Sequence, residues 1–477
     1  MATGVEPRRL PRLLIAGTHS GVGKTSVVLG ILGALRRRGV RVQGFKVGPD
    51  FIDPMYHRAV TGAPSYNLDS WLMGQEGVRR AFARVAPPEG VSIIEGVMGM
   101  FDGRSTGPEG STAEVAAILH APVLLVIDVG GMSRSAAAVV QGYTRFDPGV
   151  HIVGVVLNRA GGARHYQLVK TVIEEQAGVP VWGYLPWDDE LMVPERHLGL
   201  VPVGEDVAFQ AVCSALGNTA HRLLDIDALL ATAWAAPSLP DPASLEMSAG
   251  HTRVRIGIAR DAAFNFYYEA NLLWLRQWGA ALVEFSPITD PTLPAGVDGL
   301  YFGGGFPEVF AKGLSENHTF LDSLRQAHHA KMPIYAECGG LMYLVEEIQG
   351  QGGDRYAMAG LLPGACRLTD RLQNFGYKEV LSLRDSLLGP RGLHTRGHEF
   401  HYSLWEGRPE GVSLYRTRSS HGDEHEEGYC AENLTASYVH LHFDACPQVA
   451  RSLVETAAAF RQRRLALTLA LSRGERG

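Results

Sequence analysis

Short apolar runs alternate with longer stretches of helical periodicity along most of the chain. In the first half these runs are LLIAG, VRVQGFKVG, VSIIEGV, PVLLVID, HIVGVVLN and VWGYLP. Continuous apolar runs that are separated by helices are typical of parallel strands in a sheet covered by helices on both faces. The first half therefore predicts an α/β domain built on a parallel sheet.

The second half repeats this rhythm after a break in the pattern. Its apolar runs are VRIGIA, AALVEFS, GLYFGGG, MPIYAEC and ASYVHLHF, and they predict a second α/β domain. The break is APSLPDPASLEMSAGHTR at residues 236–253, where proline, serine and alanine replace the helical pattern. We predict domains at residues 1–235 and 253–450, a linker at 236–252, and a tail at 451–477 that is helical or disordered.

The amino-acid composition limits which kinds of molecule the chain is expected to bind. A chain of 477 residues is too long for one compact core, and its net charge of −6 gives no basic excess for binding nucleic acid or a membrane surface. The cysteines are spread without CxxC spacing, and no apolar run is long enough for an export signal or a membrane span. We expect a cytoplasmic protein that acts on small soluble substrates; a homodimer is compatible with the sequence.

The stretch GTHSGVGKTS at residues 17–26 lies between an apolar strand and a helix, as a phosphate-binding P-loop requires. It departs from the pattern G-x-x-x-x-G-K-[ST] because Thr18 stands where the first glycine is expected. This variant resembles the loop of dethiobiotin synthetase and its relatives. Lys24 is expected to reach the outer phosphates of ATP, and Thr25 to bind Mg²⁺. The predicted ATP-binding residues are Thr18, Gly21, Gly23, Lys24, Thr25 and Asn158.

Asn158 enters that set because it lies in LNR, at the end of another apolar strand. Its amide could read the adenine base, and structural capping of the strand end is the competing interpretation. The sequence leaves both open.

Acidic residues follow two other strands. In KVGPDFIDPMYH, Lys46, Asp50 and Asp53 are expected to converge near the phosphates, since ligands bind at the carboxyl ends of such strands. The two aspartates could bind Mg²⁺, orient a substrate or cap a turn. In VSIIEGVMGMFDG, Glu95 ends a strand as an acidic second metal ligand would, and Asp102 lies in the next loop.

These two segments closely resemble those of the cobyrinic acid a,c-diamide synthase family, which are corrin-ring glutamine amidotransferases of cobalamin biosynthesis. The resemblance extends from Leu13 to about Ala450. It implies ATP-dependent activation of a ring carboxylate, followed by attack of ammonia from glutamine. By match to the family's motifs, the residues that map to its metal, ATP and substrate-carboxylate region are Asp50, Phe51, Ile52, Asp53, Glu95 and Asp102.

The second half carries a candidate nucleophile. MPIYAECGGLMYL predicts a strand that ends at Cys338, followed by two glycines and a helix, and this strand-turn-helix elbow exposes a nucleophile. The helix N-terminus favours its thiolate. In ASYVHLHF, His440 and His442 are two residues apart and are therefore expected on one face of a strand, where one can act as the base.

This arrangement resembles the class I glutamine amidotransferase domain. The glycine-rich segment YFGGGFPE matches the family's oxyanion segment, so Gly304, Gly305 and Gly339 are the expected donors to the oxyanion. His440 is assigned as catalytic by alignment with the corrin amidotransferases. Most class I domains have a glutamate two residues after the catalytic histidine, where this chain has His442. That residue orients His440 or is a structural strand histidine.

The resemblance implies a carbon–nitrogen ligase with glutamine as amide donor, ATP and Mg²⁺ as further requirements, and cobyrinic or hydrogenobyrinic acid as the ring substrate. Amidation is implied at the c acetate and then at the a acetate. Ni-sirohydrochlorin a,c-diamide synthase and cobyric acid synthase are related alternatives. A partition-type P-loop ATPase would explain the first half alone. A metallohydrolase that binds zinc is a further alternative, for which the candidate ligands are His394, His398, Glu399, His401, His421, Asp423 and His425.

Overall fold

The computed structural model describes residues 8–193, 207–240 and 254–474. The chain divides into two compact units, the first formed by Met1–His197 and Val201–Leu245 and the second by Leu198–Leu200 and Glu246–Gly477. Most of the predicted linker at 236–252 lies outside the described residues.

The first unit is built on a parallel sheet. Its strands are β1 (Arg12–Gly17), β2 (Val42–Val47), β3 (Tyr66–Leu68), β4 (Val91–Glu95), β5 (Val123–Asp128), β6 (Ile152–Ala160) and β7 (Val181–Pro186). Over the described ranges they form a seven-stranded sheet in the order β3-β2-β4-β1-β5-β6-β7. Every neighbouring pair is parallel, so the carboxyl ends of all these strands lie at one edge.

Helices connect these strands. They are α1 (Lys24–Arg37), α2 (Ile52–Thr61), α3 (Ser70–Val85), α4 (Thr112–Ile118), α5 (Ser135–Phe146), α6 (Ala163–Ala177), α7 (Val207–Leu223) and α8 (Ile226–Ala235). Helix α1 buries Val27, Val28 and Ile31 in the core, as its apolar spacing requires. Two separate apolar clusters within the unit belong to a sheet with helices packed on both faces.

The second unit has a mostly parallel central sheet with two smaller sheets. Its strands are β8 (Val254–Ala259), β9 (Ala280–Phe285), β10 (Gly299–Phe302), β11 (Ile334–Glu337), β12 (Val345–Gln349), β13 (Arg355–Ala357), β14 (Leu362–Leu368), β15 (Asn374–Ser382), β16 (His394–His401), β17 (Ser403–Glu406), β18 (Tyr415–Ser419), β19 (Glu424–Glu427), β20 (Tyr429–Ala431), β21 (Leu434–Ser437) and β22 (His440–Leu441). Its helices are α9 (Glu269–Gln277), α10 (Ala311–Glu316), α11 (His318–His329), α12 (Gly339–Leu344) and α13 (Gln448–Gly474).

Within the described residues the central sheet of this unit has the order β20-β21-β11-β10-β8-β9. A four-stranded sheet, β13-β12-β14-β17, and a five-stranded sheet, β19-β18-β15-β16-β22, complete that part of the chain. The two smaller sheets were not anticipated from the apolar runs, because many of their strands alternate buried and exposed residues.

The run ASYVHLHF does not form one strand. It divides into β21 in the central sheet and β22 in the five-stranded sheet, with Tyr438 and Val439 between them. Glu427 and Ser437 hold the break, since the N–H of Tyr438 donates to Glu427 Oε2 at 3.1 Å and the N–H of Val439 to Ser437 Oγ at 2.9 Å. His442 therefore lies beyond the end of β22, and the prediction that it shares a strand face with His440 is wrong.

The C-terminal segment is helical. Leu453, Val454 and Ala457 of α13 are buried and belong to the same apolar cluster as Val254 and Ile256 of β8. This helix is therefore part of the second unit's core.

Candidate active sites

The loop between β1 and α1 has the backbone of a phosphate-binding loop. Gly21 and Gly23 have φ values of 79° and 93°, which residues other than glycine rarely adopt. Gly23 also precedes the first turn of α1, and a Cβ atom there would lie 2.0 Å from Nδ2 of Asn158. The sequence therefore needs glycine at this position for two independent reasons.

Lys24 Nζ lies at the mouth of this loop. It donates to the carbonyl oxygens of Met98 at 2.5 Å and His19 at 3.2 Å. Burial and the nearby Lys46 ammonium lower the pKa of Lys24 to about 8. Neutral carbonyls hold the lysine in the position from which it can reach an anionic phosphate.

Thr25 and Glu95 are joined at the start of α1. The hydroxyl of Thr25 donates to Glu95 Oε1 at 2.7 Å, and Lys46 Nζ lies 3.2 Å from the same oxygen. Glu95 is completely buried. Burial alone would raise its pKa, but Lys46 and His57 outweigh burial and hold the pKa of Glu95 below its usual range.

His57 is a site residue that the sequence interpretation missed. Its Nε2 donates to Glu95 Oε2 at 2.7 Å, and its Nδ1 shares a hydrogen bond of 3.0 Å with Ser65 Oγ. His57 is fully buried. His57 is the last residue of the segment KVGPDFIDPMYH and lies on the buried face of α2. A polar residue on that face was the sequence signal that could have identified it as a site residue.

Lys46 also lies close to both aspartates, Asp50 and Asp53, as the sequence predicts. Its Nζ lies 2.5 Å from Asp53 Oδ2 and 3.8 Å from Asp50 Oδ2. Asp50 Oδ1 accepts from the N–H groups of Ile52 and Asp53, so Asp50 also caps the first turn of α2. Burial raises the pKa of Asp53 well above its usual value, and the charges of Asp50 and Glu95 add to this. Phe51 is the residue at the N-cap of α2.

Asp102 and Thr18 are tied to the same loops. Asp102 Oδ2 accepts from the N–H of Gly99 at 2.9 Å, and the Asp102 charge acts on Lys24. The carbonyl oxygen of Thr18 accepts from the Tyr143 hydroxyl. The first hydrogen bond closes a turn within the loop that follows β4, and the second joins the P-loop to α5.

Asn158 contacts the P-loop through its amide. Its Nδ2 donates to the carbonyl oxygen of Val22 at 2.9 Å. Beside it lies a cavity of about 110 Å³, whose lining includes Gly23, Ser26, Asn158, Pro186 and Trp187. The structure thus shows a loop-clamping contact for Asn158 and places this residue at a pocket next to the phosphate loop.

Cys338 forms the predicted elbow between β11 and α12. It has φ 46° and ψ −104°, a strained conformation for a residue with a side chain, and its N–H donates to Ser437 O at 2.8 Å. A Cβ atom on Gly339 would lie 2.9 Å from the nitrogen of Gly305, and one on Gly340 would lie 2.4 Å from the carbonyl oxygen of Phe302. The two glycines after Cys338 are therefore required by this close approach of backbones.

His440 lies between Cys338 and Glu337. Its Nδ1 is 3.8 Å from Glu337 Oε2, and its ring also hydrogen-bonds with Cys338. Burial lowers the pKa of His440, but the Cys338 thiolate and then Glu337 outweigh burial and raise it to about 10. His440 is therefore favoured as an imidazolium beside Cys338 and Glu337.

Glu337 was not predicted from the sequence, although it directly precedes the nucleophile in YAEC. Its Oε1 accepts from the Leu441 N–H at 3.1 Å and from the Tyr335 hydroxyl. Its Oε2 accepts from the Tyr301 hydroxyl at 2.8 Å. These donors fix a carboxylate beside His440, where its charge favours the imidazolium form of the ring.

His442 has other contacts. Its ring centroid lies 4.5 Å from that of Tyr268, and its Nδ1 accepts from the Asp444 N–H at 3.3 Å. These contacts hold His442 in the turn that follows β22.

The expected oxyanion segment needs one correction. The N–H of Gly304 donates to the carbonyl oxygen of Phe266 at 3.2 Å, so it is engaged in a bridge and does not point to the nucleophile. Gly304 instead allows the close approach of His440, because a Cβ atom at this position would lie 2.4 Å from Cε1 of the ring. Of the predicted donors, Gly305 and Gly339 remain adjacent to Cys338.

Two family models match the chain, one to each unit. The CobQ/CobB/MinD/ParA nucleotide binding domain matches residues 13–201, and the CobB/CobQ-like glutamine amidotransferase domain matches residues 255–447.

Curated relatives match nearly the whole length. A cobyrinate a,c-diamide synthase of Priestia megaterium is 44% identical, covering 95% of this chain and 98% of the relative. Proteins of the same name from Caldanaerobacter subterraneus subsp. tengcongensis and Syntrophotalea carbinolica are 42% and 44% identical, covering 94% and 93% of this chain and 98% of each relative. The chain belongs to the cobyrinate a,c-diamide synthase family.

Membership in the cobyrinate a,c-diamide synthase family confirms the resemblance that was inferred from the two acidic segments. It also confirms the predicted fold class, a P-loop domain with a parallel sheet followed by a glutamine amidotransferase α/β domain. The prediction of a glutamine-dependent amidotransferase with a nucleotide-binding domain is confirmed with it.

Two of the histidines considered as zinc ligands, His398 and His401, are buried on β16 in this member of the cobyrinate a,c-diamide synthase family. Burial lowers the pKa of His398 to about 3 and that of His401 to about 4, while Glu399 pairs with Lys378 at 3.3 Å. Residues 8–193, 207–240 and 254–474 contain no group of three or more His, Cys, Asp or Glu side chains that could hold a metal ion. Among the helices of these ranges, none is long and apolar enough to cross a membrane.

Proposed function

We propose that this chain uses ATP and glutamine to convert the a and c acetate carboxylates of cobyrinic acid, or of hydrogenobyrinic acid, to amides. The observation that carries the proposal is the presence on one chain of two sites with complementary chemistry. One is the Lys24, Thr25 and Glu95 cluster at a phosphate-binding loop, and the other is the Cys338, His440 and Glu337 triad.

At the glutaminase site, Cys338 Sγ attacks the side-chain amide carbon of glutamine. The negative oxygen that develops is stabilised by the N–H groups of Gly305 and Gly339. His440 gives a proton to the leaving nitrogen, which departs as ammonia and leaves a γ-glutamyl thioester on Cys338. Water then hydrolyses the thioester to glutamate, with His440 as the base. Glu337 stabilises the imidazolium that forms.

At the other site, the P-loop glycines and Lys24 bind the ATP phosphates. The ring carboxylate attacks the γ-phosphorus, and ADP leaves with the electron pair of the broken P–O bond. Ammonia attacks the acyl phosphate, and phosphate departs as the amide forms. Lys24, at the mouth of the loop, offsets negative charge during both displacements, while Lys46 holds the carboxylates of Asp53 and Glu95 beside it.

Thr25 and Glu95 fit a Mg²⁺ ion. The Thr25 hydroxyl oxygen and Glu95 Oε1 are 2.7 Å apart, and oxygen donors at the end of a strand and the start of α1 are those that a nucleotide-bound Mg²⁺ takes. When bound, the ion neutralises charge on the phosphate oxygens. The chain's own contribution is to hold Glu95 ionised through Lys46 and His57.

We place the adenine of ATP in the cavity beside Asn158 and Trp187, because it adjoins the first turn of α1. Asp50 and Asp53, which share Lys46 as their cation, and Asp102, whose charge acts on Lys24, are placed around the ring carboxylate and the metal. We also place the enzyme in the cytoplasm, since its five cysteines are free thiols.

The test is amidation of defined rings. The purified protein is incubated with ATP, Mg²⁺ and glutamine and with cobyrinic acid, hydrogenobyrinic acid or Ni-sirohydrochlorin, and product masses are followed. Two successive carboxylate-to-amide changes on cobyrinic or hydrogenobyrinic acid are expected. If only Ni-sirohydrochlorin were amidated, it would be the ring substrate in place of cobyrinic or hydrogenobyrinic acid. If ATP and glutamine were consumed but no ring were amidated, the proposal of a tetrapyrrole substrate would be wrong.

A further inference from the structure

An apolar surface begins beside the phosphate-binding loop. It consists of Met98, Phe101, Tyr143 and Phe146, and we call it the aromatic plate. The Phe101 ring centroid lies 5.4 Å from that of Tyr143, with the rings 28° apart, and 4.6 Å from that of Phe146. Phe146 is 73% exposed and Met98 is 43% exposed, so the plate presents large apolar groups to solvent.

The plate is attached to the phosphate site at two points. The Tyr143 hydroxyl donates to the carbonyl oxygen of Thr18 in the P-loop. The carbonyl oxygen of Met98 accepts from Lys24 Nζ at 2.5 Å, and Met98 itself has a φ of 46°. A positive φ at a residue with a side chain costs stability and clusters at ligand sites. A molecule lying on the plate would therefore have its edge next to Lys24.

Folding of this unit explains only part of the plate. Phe101 and Tyr143 are partly buried against the first apolar core, whereas Phe146 extends from the last position of α5 into solvent. Contiguous exposed apolar side chains next to a polar site mark binding surfaces.

Two arginines are close to the apolar groups in sequence. Arg104 follows Phe101 in the same loop, lies 5.0 Å from the ring centroid of Trp71, and is 3.7 Å from Glu109. Arg145 directly precedes Phe146 and is exposed. An apolar surface with cations at its edge is complementary to a broad apolar molecule that carries carboxylates at its periphery.

We propose that the aromatic plate binds one face of the tetrapyrrole macrocycle. In this position the acetate group that reacts extends toward Lys24, and other ring carboxylates face Arg104 and Arg145. The inference rests on the proposed function and adds to it the surface that selects a macrocycle. Two features argue for this occupant. The apolar surface is continuous with the site that phosphorylates a ring carboxylate, and two arginines are close to it in sequence.

The test is Phe146→Ala, with Leu168→Ala as the matched control. Both side chains are exposed apolar groups on helices of the first unit, and Leu168 on α6 is 48% exposed. Loss of one aromatic contact should raise the KM for the ring about three- to tenfold. The KM values for ATP and glutamine, and glutaminase activity without a ring, should not change. Phe146→Trp should keep the wild-type KM for the ring, because it retains an aromatic group. Leu168→Ala should have the wild-type value of every one of these quantities.

Binding is measured directly by titrating the visible absorption of cobyrinic acid with protein in the presence of a non-hydrolysable ATP analogue. The Kd should rise with the KM. If Phe146→Ala kept the wild-type KM and Kd for the ring, the proposal that the aromatic plate binds the macrocycle would be wrong, and the proposed function would be unaffected. A change from dimer to monomer in Phe146→Ala, with unchanged ring affinity, would overturn it in favour of a contact between copies. Wild-type protein that amidates no ring would overturn both the plate and the proposed function.

Discussion

Glu337 Oε2 lies 3.8 Å from Nδ1 of His440, and Glu337 is the residue that directly precedes the nucleophile. The acid and the nucleophile therefore reach the histidine from adjacent positions at the end of β11. Strand β11 and the strained turn at Cys338 together determine the geometry of the whole triad, so a change at Glu337 acts on the histidine without removing either reacting group.

Glu337→Gln should lower the kcat of glutaminase about a hundredfold or more, because the neutral amide no longer stabilises the imidazolium. It should leave amidation with added ammonium chloride close to wild type. Glutamate release and amide formation are measured on the same preparation. Asp298→Asn is the control, since Asp298 is also a buried acid of the second unit and directly precedes β10, at the opposite end of the parallel strands from Cys338. Equal losses in both assays would show that Glu337 acts on folding rather than on His440.

The charge state of His440 gives a prediction about pH and stability. Its pKa is raised from 6.5 to about 10 in the folded chain, with the Cys338 thiolate as the main raising partner. The resulting stabilisation is complete below pH 6.5 and is lost as pH rises through about 10. The thermal midpoint of wild type should therefore fall more between pH 7 and pH 10 than that of Cys338→Ala. Parallel pH profiles of the two proteins would contradict the ion pair.

His57 is expected to position Glu95 for its Mg²⁺ role. Removing a hydrogen bond to a buried carboxylate costs about 1.5–3 kcal/mol, so His57→Asn should lower amidation activity by about tenfold or more and raise the Mg²⁺ concentration needed for half-maximal rate. Glutaminase activity should remain. Ser65→Ala, which removes only the outer partner of His57, should have the same effect in weaker form. If the amidation activity of His57→Asn stayed low at every Mg²⁺ concentration, His57 would have a purely structural role.

Gly23→Ala should abolish ATP binding, because the new Cβ atom would lie 2.0 Å from Asn158 Nδ2 and the backbone has a φ of 93°. Gly39→Ala is the matched control, since Gly39 also has a positive φ, of 72°, but no atom lies within 4 Å of its added Cβ. Nucleotide affinity is measured by calorimetry with an ATP analogue. If both variants lost affinity equally, backbone strain alone would account for the effect.

The sequence was sufficient to predict the features that depend on local pattern. Parallel strands appear as continuous apolar runs, and the P-loop requires glycine and lysine at fixed spacing. Lys24 and Thr25 could therefore be placed at the start of a helix, and Cys338 at a strand-turn-helix elbow, before the structure. Glu95 could also be placed at a strand end, because β4 ends with it.

The features that were missed depend on contacts between distant segments. His57 and Glu95 are 38 residues apart, and no spacing rule links them. Glu337 was passed over because the acid was expected after the histidine. Gly304 was expected to donate to the oxyanion, but the chain uses its N–H to pair with Phe266. His442 lies outside the strand because Glu427 and Ser437 accept hydrogen bonds from the backbone N–H groups of Tyr438 and Val439 and interrupt the run.

The most direct test of the two-site account is Cys338→Ala assayed with glutamine and, separately, with ammonium chloride, in the presence of ATP, Mg²⁺ and cobyrinic acid. Product masses are recorded in both assays. No amide should form from glutamine, and two amides should form from ammonium at a rate close to wild type. Loss of amidation with both nitrogen sources in a folded protein that still binds ATP would contradict the assignment of ammonia release and carboxylate activation to separate sites.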